Sequence, residues 1–90
     1  MSTVTYAVRM IDVTSSNVGR IGYDAEAERL YVQFRDQAAN TRDGTLYAYE
    51  SVPERVYRRL VAAAATGESV GRLFTEKVKK AGFEYRRVKQ

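Results

Sequence analysis

Three consecutive stretches in which apolar and polar residues alternate lie between Asn17 and Pro53. They are VGRIGYD at 18–24, RLYVQFR at 29–35 and TLYAYE at 45–50, with turn-forming residues between them. An apolar residue at every second position is typical of β-strands whose two faces have different surroundings. After Pro53 the apolar spacing changes to that of a helix. These patterns predict a fold in which three strands precede the helices.

Two helices are predicted after the strands. The first begins at Ser51, where Ser51 and Glu54 match a capping box, and Gly67 suits its left-handed end. Ser69 is predicted to cap the second helix, which Gly82 ends. Their apolar stripes are Val56, Tyr57, Leu60, Val61 and Ala64 in the first helix, and Val70, Leu73, Phe74 and Val78 in the second.

The remaining segments leave alternatives open. Residues 1–14 are predicted as an N-terminal extension, in which Val4, Tyr6, Val8 and Met10 alternate with other residues. This stretch either adds an edge strand to the sheet or pairs with a second copy of the chain as a homodimer. Residues 36–44 form a long loop in which Gly44 is expected to adopt a positive φ. Residues 83–88 are either a short terminal strand or an ordered tail.

These elements predict an α+β domain over residues 15–88. It comprises a small antiparallel β-meander of three strands, or four if the N-terminal strand joins, followed by two helices packed on one face. A chain of 90 residues has room for one hydrophobic core.

Composition narrows the possible chemistry. The chain has no cysteine and no histidine, so thiolate chemistry, disulfides and the usual general base at neutral pH are excluded. The remaining polar residues do not have the spacing of a metal site or an activated nucleophile, and we expect neither an enzyme nor a cofactor. The longest apolar run, residues 60–65, is far too short to span a membrane. A cytoplasmic protein with no membrane association is expected.

Positive charge is concentrated near the C-terminus. Residues 1–68 contain eight basic and nine acidic side chains, whereas residues 69–90 contain seven basic and only two acidic ones. A cluster of this kind attracts phosphate groups, although lysines near a helix C-terminus also interact favourably with the helix dipole.

Several short motifs resemble those of the KTSC domain family, which is named for a module at the C-terminus of some lysyl-tRNA synthetases. They cover residues 15–88 and comprise Ser15-Ser16-Asn17-Val18, Ile21-Gly22-Tyr23-Asp24, Leu30-x-Val32-x-Phe34, Tyr47-Ala48-Tyr49, Val52-Pro53, Ser69-x-Gly71-x-x-Phe74 and Tyr85-Arg86-Arg87. The resemblance implies a small domain, often a stand-alone bacterial or phage protein, with a suggested role in RNA binding.

The first functional hypothesis is therefore an RNA-binding module, because single-stranded RNA is bound by basic groups interleaved with aromatic rings. The candidate residues are Arg20, Tyr31, Arg35, Lys79, Lys80, Tyr85, Arg86 and Arg87. Tyr47 and Tyr49 are expected to point into the core with their hydroxyls at the rim. Leu46 and Ala48 then lie on the outer face of the sheet. That apolar outer face motivates the alternative, a protein-interaction or homo-oligomeric adaptor.

Overall fold

A computed structural model describes residues 8–89. The chain forms strands β1 (Ile11–Asp12), β2 (Val18–Asp24), β3 (Arg29–Phe34) and β4 (Leu46–Tyr49). Two helices follow, α1 (Glu54–Thr66) and α2 (Val70–Phe74), and α2 continues into a π-helical turn, Thr75–Lys79. The last element is strand β5 (Tyr85–Val88). The predicted α+β class is confirmed.

The five strands form one antiparallel sheet in the order β1-β2-β3-β4-β5. The sheet therefore has more strands than the three or four predicted. Residues 85–88 form a terminal strand, one of the two predicted alternatives, and this strand pairs with β4. The N-terminal extension contributes β1 at the opposite edge of the sheet. Of the alternating N-terminal positions, 4 and 6 lie outside the described residues, and residues 8–10 are not a strand. The extension nevertheless supplies the added edge strand, which begins immediately after Met10.

Both helices pack on one face of the sheet, as predicted. Leu30 and Val32 of β3 are fully buried there against Leu60 of α1 and Val70 of α2. The same core continues to Phe74 and to Val78 in the π-helical turn. Burial of these side chains is the main source of stability for a domain of this size.

The opposite, open face of the sheet is partly covered by the chain itself. Tyr31 and Ala48 are buried on this face, and Val8 and Met10 pack against them. Gly22 makes this packing possible, because a Cβ there would lie 2.5 Å from the Met10 sulfur and 2.9 Å from the Arg9 carbonyl oxygen. Leu46 and Ala48 lie on the open face, but Ala48 has no exposed surface.

Two local predictions were wrong. The first helix has no capping box, because its N-cap is Pro53 and no side chain makes the capping hydrogen bond. The helical conformation is sterically disfavoured for a residue that precedes proline, so Val52 cannot begin the helix. Ser51 instead adopts a positive φ of 57°.

The second error concerns the 36–44 loop. The left-handed residue is Asn40, with a φ of 56°, and not Gly44. Glycine is required at position 44 for space, since a Cβ would lie 2.5 Å from the carbonyl oxygen of Phe34. The glycine ends of both helices are as predicted, with φ of 83° at Gly67 and 81° at Gly82. Ser69 caps α2 by accepting a hydrogen bond from the Arg72 amide.

No helix within residues 8–89 combines the length and apolar character required for a membrane span.

Candidate nucleic-acid interface

Strands β4 and β5 place three tyrosines next to one another on the helix side of the sheet. Tyr47 and Tyr49 are two residues apart in β4, so they share a face, and Tyr49 lies directly opposite Tyr85. The rings of Tyr49 and Tyr85 stack with centroids 5.3 Å apart, and the Tyr85 ring meets that of Tyr47 edge-on at 5.9 Å. Both arrangements are favourable for aromatic pairs.

Two phenylalanines extend this group into a pocket. Phe34, at the end of β3, contacts the Tyr47 ring edge-on at 5.7 Å. Phe83 follows Gly82, whose left-handed conformation turns the chain from the π-helical turn towards β5. The pocket has a volume of about 480 Å³. We call it the aromatic pocket, and its lining residues are Phe34, Tyr47, Tyr49, Lys79, Gly82, Phe83 and Tyr85.

Exposure changes steeply across the aromatic pocket. Tyr49 is 4% exposed and contacts the buried Phe74 ring at 5.4 Å, whereas Tyr85 is 63% exposed. Burial and the neighbouring Tyr85 and Tyr47 hydroxyls raise the pKa of Tyr49 to about 12. The pocket therefore has a neutral, buried inner wall and an accessible outer ring.

Lys79 supplies a positive charge to this apolar site. It is the last residue of the π-helical turn, in which the Lys80 amide donates to the carbonyl oxygen of Thr75, five residues earlier. Such wide turns recur at functional sites, because they change which residues face a neighbouring surface. Lys79 and Lys80 are both exposed, and neither has an ion pair within residues 8–89.

The two arginines of β5 point to opposite faces of the sheet. Arg87 lies opposite Tyr47, on the aromatic side, and has no ion-pair partner among the residues the structure describes. Arg86 lies opposite Ala48, on the open side, 3.6 Å from a Glu50 carboxylate oxygen. The same carboxylate accepts from Arg29 at 2.8 Å. Only Arg87 therefore carries an uncompensated charge on the aromatic side of β5.

Arg35 lies near Arg87 in a second, polar depression of about 460 Å³. Asp36 and Asp43 line the same depression, so its charge is mixed. The Arg35 guanidinium donates to the Asn40 side chain at 3.3 Å. Arg35 belongs to the surroundings of the aromatic pocket and not to its lining.

Two of the predicted residues are poorly suited to contact RNA. Tyr31 is only 3% exposed beneath Val8 and Met10, so its ring offers no surface on which a base could stack. Arg20 shares the open face with Gln33 and donates to the Oε1 atom of that side chain at 3.0 Å. It is also ion-paired with Asp12 and Asp43 at 3.0 and 2.8 Å, and these hydrogen-bonded carboxylates raise its pKa. Arg20 therefore links β1, β2 and the 36–44 loop.

The structure brings together Lys79 and Tyr85 at the aromatic pocket, with Lys80 and Arg87 nearby in the chain. The pocket roles of Phe34 and Phe83 were missed, while Tyr47 and Tyr49 were correctly expected to point inward. Strand alternation was the available signal for the tyrosines. The positions of Phe83 and Lys79 depend on the turn at Gly82 and on the π-helical geometry, which periodicity does not specify.

Comparison with known proteins gives a consistent family assignment. The family model described as the KTSC domain matches residues 14–83. An uncharacterized protein of Stutzerimonas stutzeri (strain A1501) is 32% identical over 81 residues, which span 90% of this chain and 99% of that protein. The crystal structure of a KTSC domain protein from Yersinia pestis is 35% identical, with a TM-score of 0.71 over 92% of this chain and all of the other. The chain belongs to the KTSC domain family.

Proposed function

We propose that this domain is a non-enzymatic binding module for single-stranded RNA. In this proposal an unpaired base stacks in the aromatic pocket, and the adjoining phosphates interact with Lys79, Lys80 and Arg87. Single-stranded nucleic acids are commonly bound in this way, by flat side chains for the bases and basic groups for the backbone.

The exposed ring of Tyr85 is the observation that carries the proposal. Tyrosine usually buries most of its ring, but Tyr85 is 63% exposed. It is the most exposed of the five aromatic residues that line the pocket. Its stacking on Tyr49 fixes the ring orientation before any ligand arrives. A base that stacks on Tyr85 therefore meets a preorganised surface.

Charge around the pocket supports the same proposal. Of the nine basic residues that precede the π-helical turn, four are in ion pairs of 3.2 Å or less, namely Arg20, Arg29, Arg58 and Arg59. The basic residues from Lys77 onward, apart from Arg86, have no such partner in the described part of the chain. The excess positive charge is therefore available for phosphates.

Substitution of Tyr85 tests the proposal directly. Binding of fluorescein-labelled single-stranded RNA would be measured by anisotropy for the parent chain, Tyr85→Phe and Tyr85→Ala, with an electrophoretic shift of tRNA in parallel. Loss of one stacked base weakens binding by about tenfold or more, so Tyr85→Ala should bind much less tightly while Tyr85→Phe retains most of the affinity.

Arg58→Ala provides the matched control, because Arg58 is exposed on α1 and lines no part of the aromatic pocket. It removes one positive charge and should change affinity far less than Tyr85→Ala. Equal affinities of the parent, Tyr85→Ala and Tyr85→Phe chains would exclude the aromatic pocket as the RNA site.

The adaptor alternative has less structural support. Its apolar surface was expected on the open face of the sheet, where Ala48 is buried and Leu46 is only partly exposed. Light scattering over a range of protein concentrations distinguishes the two functions. A salt-insensitive dimer without RNA affinity would favour the adaptor.

A further inference from the structure

A third depression adjoins the aromatic pocket and has different chemistry from both the aromatic pocket and the depression at Arg35. It has a volume of about 380 Å³ and shares Phe83 and Tyr85 with the aromatic pocket. Its other lining residues are Glu50, Glu84 and Arg86. Tyr85 lines this depression from the aromatic side of the sheet and Arg86 from the open side, so the depression crosses the edge strand β5. A base that stacks on Tyr85 and reaches across this edge would meet a carboxylate and a guanidinium at its polar edge.

The two glutamates of this depression differ in availability. Glu50 is held by Arg29 at 2.8 Å and lies 3.6 Å from Arg86. The carboxylate of Glu84 has no hydrogen bond or ion pair within residues 8–89, and the side chain is exposed. The backbone at Glu84 is nevertheless fixed, since its carbonyl oxygen accepts from the Glu50 amide at 2.8 Å. Glu84 thus offers a free carboxylate at an anchored position.

We infer that Glu84 makes the site selective for guanine. This inference rests on the proposed function and adds the base that the site prefers. Among the common RNA bases, guanine has two neighbouring N–H donors on its base-pairing edge, N1–H and the N2 amino group. A carboxylate has two acceptor oxygens that match this pair.

The other bases fit a carboxylate less well. In adenine and cytosine the amino group lies next to a ring nitrogen that is an acceptor, and it would repel the second carboxylate oxygen. In uracil the N3–H is flanked by two carbonyl oxygens. Guanine also carries the O6 acceptor, which a guanidinium such as that of Arg86 can contact.

The test uses short oligouridines with one central nucleotide replaced by guanosine, inosine, adenosine or cytidine. Anisotropy should give about tenfold tighter binding for guanosine than for adenosine, cytidine or the unsubstituted oligouridine, as expected for one bidentate contact. Inosine lacks the N2 amino group and should fall between guanosine and the others.

Glu84→Gln should abolish this preference, because a carboxamide has only one acceptor oxygen. Glu26→Gln is the matched control, since Glu26 is an exposed glutamate in the β2–β3 turn and lines neither depression. It changes the net charge equally and should leave the guanosine preference intact. Thermal unfolding of both variants would establish that each is folded.

The outcomes separate the inference from the proposed function. Equal affinities of the parent chain for guanosine and adenosine oligonucleotides, or a guanosine preference that survives Glu84→Gln, would overturn the inference while RNA binding stands. If none of the oligonucleotides binds, the proposed function fails and the inference with it.

Discussion

Tyr49 and Tyr85 lie directly opposite each other in neighbouring strands, but they have different physical roles. Tyr49 is on an inner strand and contacts Phe74 of the core, whereas Tyr85 is on the edge strand and has solvent on one side. The strand position, and not the residue type, decides which tyrosine is structural and which is accessible.

The buried Tyr49 hydroxyl predicts a loss of stability at alkaline pH. Its pKa rises from the ordinary tyrosine value of 10.0 to about 12 in the fold, chiefly because burial disfavours the phenolate. Between these values the native state binds more protons than the unfolded state, so stability present below pH 10 should fall as the pH rises through 12. Burial also raises the pKa of Tyr23 and of Tyr57, which adds to the same trend.

Urea unfolding of the parent chain and of Tyr49→Phe across this pH range measures the effect. The variant should lose less stability between pH 10 and pH 12 than the parent. Identical slopes would show that Tyr49 does not contribute to the alkaline transition.

Gly22 predicts a steric effect on the N-terminal segment. In Gly22→Ala the Met10 side chain can move away from the new methyl group, but the Arg9 carbonyl oxygen, 2.9 Å away, belongs to the backbone. We expect a loss of about 1–3 kcal/mol in the free energy of unfolding, as is typical of overpacking. Urea denaturation measures this loss, and faster amide exchange at residues 8–10 would show that the segment has moved. A stability equal to that of the parent would mean that the segment shifts at no cost.

At the scale of single elements, β5 presents different groups on its two faces. Alternation places Tyr85 and Arg87 on the aromatic side, and Arg86 and Val88 on the open side. Arg86 is compensated by Glu50, and the two arginines are therefore not equivalent.

Single substitutions of the two arginines should consequently differ. Arg87→Ala should weaken RNA binding by about three- to tenfold and reduce the salt slope by about 0.7, as for one lost phosphate contact to a single strand. Arg86→Ala should have the smaller effect on oligouridine. Both variants should unfold at nearly the parent urea concentration, because both side chains are exposed. The assignment of Arg87 would be wrong if the two affinities changed equally.

Helix α1 ends through a conformation that favours glycine. Gly67 has a φ of 83°, and its amide donates to the carbonyl oxygen of Ala63. A Cβ added at Gly67 would meet no atom within 4 Å. Gly67→Ala should therefore cost about 1 kcal/mol through backbone strain alone. Gly67→Asn should cost less, because asparagine tolerates the left-handed region. Thermal unfolding of the two variants distinguishes backbone strain from a packing effect. If packing were the cause, Gly67→Asn, with the larger side chain, would be less stable than Gly67→Ala.

At the scale of the whole molecule, charge is divided between two roles. Arg20, Arg29 and Arg59 pair with carboxylates that come from other parts of the chain and so link elements. The basic residues near the C-terminus are mostly without such partners in the described part of the chain. A neutral scaffold with one positive end is the electrostatic arrangement expected for weak, salt-dependent binding of a polyanion.

This division predicts a shallow salt dependence. If Lys79, Lys80 and Arg87 neutralise three phosphates, the logarithm of the binding constant should fall against the logarithm of salt concentration with a slope of about −2. Anisotropy titrations at several salt concentrations give this slope. Binding that does not change with salt would contradict a phosphate-contacting role for these residues.

The sequence alone determined the order and type of most elements. Strand β2 occupies the predicted residues, β3 and β4 differ from prediction by one residue at their ends, and both helix-ending glycines were identified. These features are local, because the side-chain period and the backbone preferences of glycine act within a few residues. The KTSC motifs were recognisable for the same reason.

Only the tertiary structure decided which polar and aromatic residues remain available to a ligand. Tyr31 and Tyr85 have the same side chain, and each lies in an alternating strand, yet one is covered by residues 8–10 and the other is open at the sheet edge. Arg20 and Arg87 likewise differ through their distant carboxylate neighbours. Burial and ion pairing depend on contacts between residues far apart in the chain, and the alternation that specifies a strand contains no information about what will cover it.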